Sequence, residues 1–143
     1  MLAPDIVWLA IGMASSLLLA TVYLLFVKPA PYGRYSPKGH ELWSINARVA
    51  WFLQEIPSAL VPLYWMQRKS AARAWEPANA FLLSLFVGHY LYRSIVYAWR
   101  IRSSNKSPVS IVLSAFLFTS ANGYLQARTL CDVQGRSALF RHR

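Results

Sequence analysis

Apolar residues along the chain gather into four blocks, each close to the length of a membrane crossing. The first, from about residue 6 to 27, reads IVWLAIGMASSLLLATVYLLFV and holds no charge. A helix needs roughly 20 such residues to cross the hydrocarbon of a bilayer, so this segment predicts a transmembrane helix. A cleaved signal peptide would carry a basic start and a shorter apolar stretch. Here the charge that precedes the block is Asp5, which favours a retained anchor. The second block covers residues 47–66, the third 77–99 and the fourth 108–127. Between them lie KPAPYGRYSPKGHELWS, QRKSAARAWE and RIRSSNKS, whose prolines, glycines, serines and charges suit loops. The expected fold is all-α: a polytopic membrane protein of about four transmembrane helices. Residues 1–128 form the helical region, and 129–143 (TLCDVQGRSALFRHR) form a tail too polar to span.

Composition agrees with the pattern. Of the 143 residues, 56% are hydrophobic and 14% charged, against about 25% charged in an ordinary soluble domain. Disorder is excluded, since it requires low hydrophobicity. The 15 Lys and Arg against 5 Asp and Glu give a net charge of +10. So many bulky apolar residues among the cations argue against a nucleic-acid partner. The cations instead suit anionic lipid at the membrane surface, or a nucleotide phosphate. No Lys or Arg precedes the first span, whereas Lys28, Arg34, Lys38 and Arg48 follow it. By the positive-inside rule the N-terminus is outside, lumenal or extracytoplasmic, and the first and third loops are cytoplasmic. One cysteine, Cys131, excludes an intrachain disulfide framework, and with three scattered histidines it builds no metal site.

Three of the blocks contain polar residues where lipid would be expected. Gln54 and Glu55 sit near the middle of the second. An ionised carboxylate at a helix centre costs on the order of 3 kcal/mol, so Glu55 is expected to face a cavity or a partner. Pro57 and Pro62 each remove a backbone donor, which frees the carbonyls of Leu53 and Ser58. At helical spacing Trp51, Glu55, Ser58 and Pro62 share one face. In the third block His89, Arg93 and Tyr97 recur every four residues, with Tyr90 beside them. Tyr92, Tyr97 and Trp99 also suit an aromatic belt, but a belt accounts for neither His89 nor Arg93. In the fourth block Thr119, Asn122 and Gln126 share a face suited to hydrogen bonds between helices, and Gly123 suits close helix approach. There is no GxGxxG, Walker loop, HExxH or GxSxG.

Four stretches, APYGRYS, ARVAWFLQEIPS, HYLYRSIVY and NGYLQAR, occur in the order and at the spacing found in the steroid 5α-reductases. From Pro29 to about Arg128 the chain resembles the N-terminal half of such an enzyme, AWFLQEIPS and HYLYR being the most specific parts. The resemblance implies a fold truncated relative to seven spans, since the residues after Arg128 depart from the family pattern. It also implies an NADPH-dependent membrane oxidoreductase that reduces the Δ4 double bond of a 3-oxo steroid in the endoplasmic reticulum. On this resemblance Glu55 and Tyr90 are catalytic. They would hydrogen-bond the C3 carbonyl where negative charge develops, Glu55 acting as a neutral acid. Trp51, Gln54 and Tyr97 would border the steroid, and Arg93 and Arg102 would contact NADPH. Asn122 and Gln126 would be structural. The alternative is a non-catalytic membrane module that binds sterol or lipid, or associates with a full-length reductase.

Overall fold

The computed structural model describes residues 4–27, 43–68, 72–102 and 106–131. The APYGRYS stretch, most of the first loop and residues 132–143 of the polar tail lie outside the described residues.

Four helices make up almost all of the described structure, as the four apolar blocks lead one to expect of an all-α fold. Helix α1 covers Pro4–Phe26, α2 Ala47–Met66, α3 Pro77–Arg100 and α4 Val109–Cys131. Of these, α1, α3 and α4 are long and apolar enough to cross a membrane, which marks an integral membrane protein. At 20 residues α2 has the length, but Arg48, Gln54, Glu55 and two prolines dilute its apolar character. It is instead the helix most enclosed by the others: Ala50, Pro57, Ser58, Ala59 and Pro62 are all buried. Protein takes the place of lipid along much of its surface.

A two-stranded ribbon, invisible in the hydropathy pattern because each strand is only three residues long, ties the starts of two helices together. Strand β1 (Ser44–Asn46) pairs antiparallel with β2 (Lys106–Pro108), Ile45 opposite Ser107. The Val109 N–H extends the pairing by donating to the Trp43 carbonyl at 3.1 Å. β1 leads into α2 and β2 into α4, so both helices start at the ribbon, and their contacts advance in step from Gln54 with Thr119 to Trp65 with Tyr124, which shows that the two run parallel. Asn46 caps α2, its Oδ1 accepting the Arg48 N–H at 2.9 Å. The chain then returns through a 3-10 turn, Ala72–Trp75, and α3. Pro77 opens α3 at a position where its missing N–H costs nothing. The far end of α3 comes back to the ribbon, where Arg48 Nε donates to the Ile101 carbonyl at 2.8 Å.

The α2–α4 seam is the most extensive helix contact and is built from small residues. Gly123 lies so close to α2 that an added Cβ would sit 3.1 Å from Ser58 Cα and 3.2 Å from the Pro57 carbonyl oxygen. Two hydroxyls stitch the seam. Ser58 Oγ donates to the Thr119 carbonyl at 2.9 Å, and Thr119 Oγ1 donates to the Gln54 carbonyl at 2.6 Å. Small residues and hydroxyls are what helices in lipid use to associate, since burial of apolar area gives them little drive. At the end away from the ribbon, Ala74, Leu83 and Cys131 form a buried cluster under Trp65, Met66 and Leu130. That packing carries α4 to Cys131, past the expected end of the fourth block at residue 127. Helix α1 attaches by its first turn. Ile6 is buried, and Asp5 Oδ2 accepts from Tyr124 at 3.3 Å and from Arg128 at 3.5 Å.

Replacing Gly123 by Ala should therefore force α2 and α4 apart and lower stability by roughly 1–3 kcal/mol, the usual cost of overpacking. Gly12 and Gly88 have open space where a Cβ would go. Alanine there should stabilise by about 0.5–1 kcal/mol through helix propensity. Thermal unfolding of the three variants in one detergent checks the contrast, and a neutral Gly123→Ala would contradict the seam as described.

Candidate functional site

Glu55 sits in the middle of α2 because it lies on the same face as the residues that meet α3. Its side chain is 12% exposed, and its Oε1 accepts a hydrogen bond from Arg93 Nη2 at 2.6 Å. The pairing is what a carboxylate and a guanidinium do when water is scarce, because either one left alone inside the bundle would carry a large desolvation cost. The guanidinium is 38% exposed, so the pair is open on one side. It also lies over the Trp51 ring, 5.2 Å from the centroid, and the Trp51 and Tyr97 rings are 5.0 Å apart. Trp51 and Tyr97 thus form an aromatic backing to the ion pair. The Trp51 indole N–H is buried and has no acceptor among the described residues.

On the other side of Glu55 an open cleft of about 530 Å³ lies between α2, α3 and α4. Small-molecule sites commonly measure about 300–1,000 Å³. Glu55 lines the cleft from α2; His89, Tyr90 and Arg93 line it from α3; Ile111, Ser114, Ala115, Phe118 and Thr119 line it from α4. One wall is therefore polar and ionic and the other largely apolar. The Tyr90 ring is held between Phe86, with centroids 4.7 Å apart, and His89, edge-on at 5.2 Å. Its hydroxyl oxygen accepts a hydrogen bond from Asn122 Nδ2 at 3.1 Å.

Local backbone geometry contributes to this arrangement. Through Tyr92–Tyr97, α3 widens from α-helical to π-helical winding, with Arg93 in the widened turn. Such turns inside α-helices are often found at functional sites. Sequence spacing puts His89, Arg93 and Tyr97 on one stripe. In the structure His89 and Arg93 face the cleft while Tyr97, at the far end of the π turn, packs on Trp51.

The structure thus brings Glu55, Tyr90 and Arg93 together at one cleft. Trp51 and Tyr97 stand behind the ion pair and are not part of the cleft wall. Gln54 takes part in the α2–α4 seam through its backbone carbonyl. Arg102 is exposed, beyond the end of α3 at the ribbon end. Arg93, which the resemblance assigns to NADPH, is engaged with Glu55, because the two opposite charges meet where α2 and α3 cross. Two contributors escaped the sequence reading as parts of a site. Asn122 reads as packing glue, and its partner Tyr90 lies on a different helix 32 positions away. The apolar wall, Ile111, Ala115 and Phe118, has no polar residue to mark it.

No family model matches the chain. Individual proteins do. Over 101 residues it is 43% identical to 3-oxo-5-alpha-steroid 4-dehydrogenase 1 of Rattus norvegicus, covering 71% of this chain and 39% of that protein. It is 38% identical over 99 residues to the type 1 protein of Homo sapiens. It is 37% identical over 123 residues to 3-oxo-5-alpha-steroid 4-dehydrogenase 2 of Mus musculus, covering 81% of this chain and 45% of that one. The chain is thus an integral membrane protein of helical fold, homologous to the steroid 5α-reductases of types 1 and 2. It spans about two-fifths of the length of the type 1 proteins it matches.

The pairing of Glu55 with Arg93 is open to a double-mutant cycle. Glu55→Gln and Arg93→Gln should each destabilise the bundle. The double variant should recover part of the summed loss, with a coupling of about 0.5–3 kcal/mol and towards the low end, since the guanidinium is partly solvated. Additive losses in detergent unfolding would mean that the contact carries no energy.

Proposed function

We propose that this chain forms the part of a 3-oxo-Δ4-steroid 5α-reductase that holds and polarises the steroid ketone. The observation that carries the reading is the convergence of Glu55 and Tyr90 on one cleft, with an apolar wall opposite, in a homologue of such enzymes. A steroid is an apolar slab with a carbonyl at one end. The cleft has matching chemistry, with Ile111, Ala115 and Phe118 for the rings and Tyr90 and Glu55 for the C3 oxygen.

When the C4–C5 double bond is reduced, negative charge grows on the C3 oxygen as an enolate. Hydrogen-bond donors already aimed at that oxygen lower the barrier because they need not reorganise as the charge appears. Tyr90 supplies its O–H. Glu55, whose Oε1 accepts from Arg93 in the structure, is the second group at the C3 oxygen. A ketone oxygen meets a carboxyl oxygen favourably only across a proton, so for Glu55 to donate, the ion pair with Arg93 must give way to a neutral acid as the ketone binds. Another steroid enzyme uses the same combination of a tyrosine and a protonated acid. Trp51, Gln54 and Tyr97 support the steroid end of the site, Trp51 and Tyr97 by fixing Arg93 from behind.

NADPH, the reductant of this reaction class, supplies the hydride that adds at C5. Among the described residues the cations the resemblance offers it are Arg93 and Arg102. Arg93 keeps further guanidinium N–H groups beyond the one on Glu55. Arg102 is solvent-exposed beyond the end of α3. Both suit phosphate or amide oxygens by charge and geometry. The endoplasmic reticulum is the compartment that the resemblance implies, and the charge pattern favours a lumenal N-terminus.

The test is saturable binding of a labelled 3-oxo-Δ4 steroid to membranes containing the chain, followed by turnover with NADPH. Loss of one such donor typically costs about 10²–10³-fold in rate. Tyr90→Phe and Glu55→Gln should each fall in that range, and unchanged turnover in both would remove their assigned roles. Steroid binding without NADPH-dependent turnover would instead favour a non-catalytic sterol-binding module. Because the chain spans about two-fifths of the length of its type 1 relatives, the same preparation should be probed for association with a full-length reductase.

A further inference from the structure

We propose that Asn122 is a positioning residue for Tyr90, which sets the direction in which the phenol donates. This rests on the reading of Tyr90 as a ligand of the steroid ketone and extends it to a residue on a different helix.

A phenol oxygen has one hydrogen to give and lone pairs to accept with. Which way the hydrogen points is set by what surrounds the oxygen. Asn122 Nδ2 is an NH₂ group, a donor only, and it lies 3.1 Å from the Tyr90 oxygen. That contact occupies a lone pair and leaves the hydrogen for another acceptor. Tyr90 lines the cleft, where a ketone oxygen would supply one. Were the amide turned the other way, its Oδ1 would take the phenol hydrogen and Tyr90 could only accept. It would then repel a ketone. The orientation of one amide therefore sets whether Tyr90 can donate to a carbonyl in the cleft.

Two further features make the arrangement specific. The Tyr90 ring packs against Phe86 and His89, which favours the rotamer that brings its oxygen to Asn122. On α4, Asn122 stands one turn beyond Thr119 and next to Gly123, both locked into the α2–α4 seam. The height of the amide is thus set by the close contact between α2 and α4. An accepted hydrogen bond also polarises the O–H and strengthens it as a donor.

The test uses membranes containing the whole chain and two labelled probes, a C19 3-oxo-Δ4 steroid and the same skeleton without the C3 oxygen. The wild-type chain should prefer the 3-oxo probe. Asn122→Ala should weaken the 3-oxo probe by about fivefold, in line with one hydrogen bond, and leave the 3-deoxo probe unchanged. Asn122→Asp, which recaptures the phenol hydrogen, should weaken the 3-oxo probe more than Asn122→Ala does. In a Tyr90→Phe background Asn122→Ala should have no further effect. Equal weakening of both probes would assign Asn122 to packing alone and overturn the proposal. So would an undiminished 3-oxo preference in Asn122→Ala, or additivity with Tyr90→Phe. A wild-type chain with no preference for the 3-oxo probe overturns the ketone site itself, and this proposal with it.

Discussion

The structure depends on how closely α4 approaches α2. Gly123 lets the backbone of one helix touch the backbone of the other at Pro57 and Ser58. At that distance the Ser58 and Thr119 hydroxyls reach carbonyls across the seam. In a lipid environment this kind of contact, and not burial of apolar area, holds helices together. Everything that follows is a matter of geometry. With α2 and α4 in contact and parallel, α3 closes against both, and the cleft is the space left between the three.

That constraint explains why the polar residues stand where they do. Glu55 is one turn before Ser58 on α2, and Asn122 is next to Gly123 on α4. The groups that meet α3 are thus placed by neighbours that pack without tolerance. The Glu55–Arg93 contact then joins α2 to α3, and the Asn122–Tyr90 contact joins α4 to α3. Each pair resolves what would otherwise be a buried polar group without a partner, so the site and the fold are satisfied by the same bonds. Arg93 meets Glu55 and Tyr97 meets Trp51 one turn away, both from the widened turn of α3.

Much of this was legible in the sequence, and the limits are physical. Long uncharged or weakly charged runs announce helices because a bilayer demands about 20 apolar residues, a signal strong enough to survive without homologues. Glu55, His89 and Arg93 stood out for the opposite reason, as polar groups in such runs. Gly123 was legible as a close-approach residue because a missing side chain has one obvious use between helices. The ribbon was not, since three-residue strands have no periodicity to detect. Nor was the π turn, whose cause lies in packing and not in any residue that breaks helices. Pairings were the hardest to read. Arg93 suits a phosphate as well as a carboxylate, and Asn122 suits any neighbour with a lone pair. Only the positions of the helices decide between those options.

The ribbon has an electrical consequence. It gathers the ends of α2, α3 and α4 at one face, where the described residues include Arg48, Arg100, Arg102 and Lys106 and no acid. At the opposite face Asp5 and Glu76 are paired with Arg128 and Arg73. Among the described residues the excess positive charge is therefore concentrated at the ribbon end, while at the other end Asp5 and Glu76 offset two of the three arginines, Arg68 remaining, which gives the bundle a polarity along its long axis. Asymmetry of that kind is what a bilayer reads when it settles which end of a helical protein faces which side.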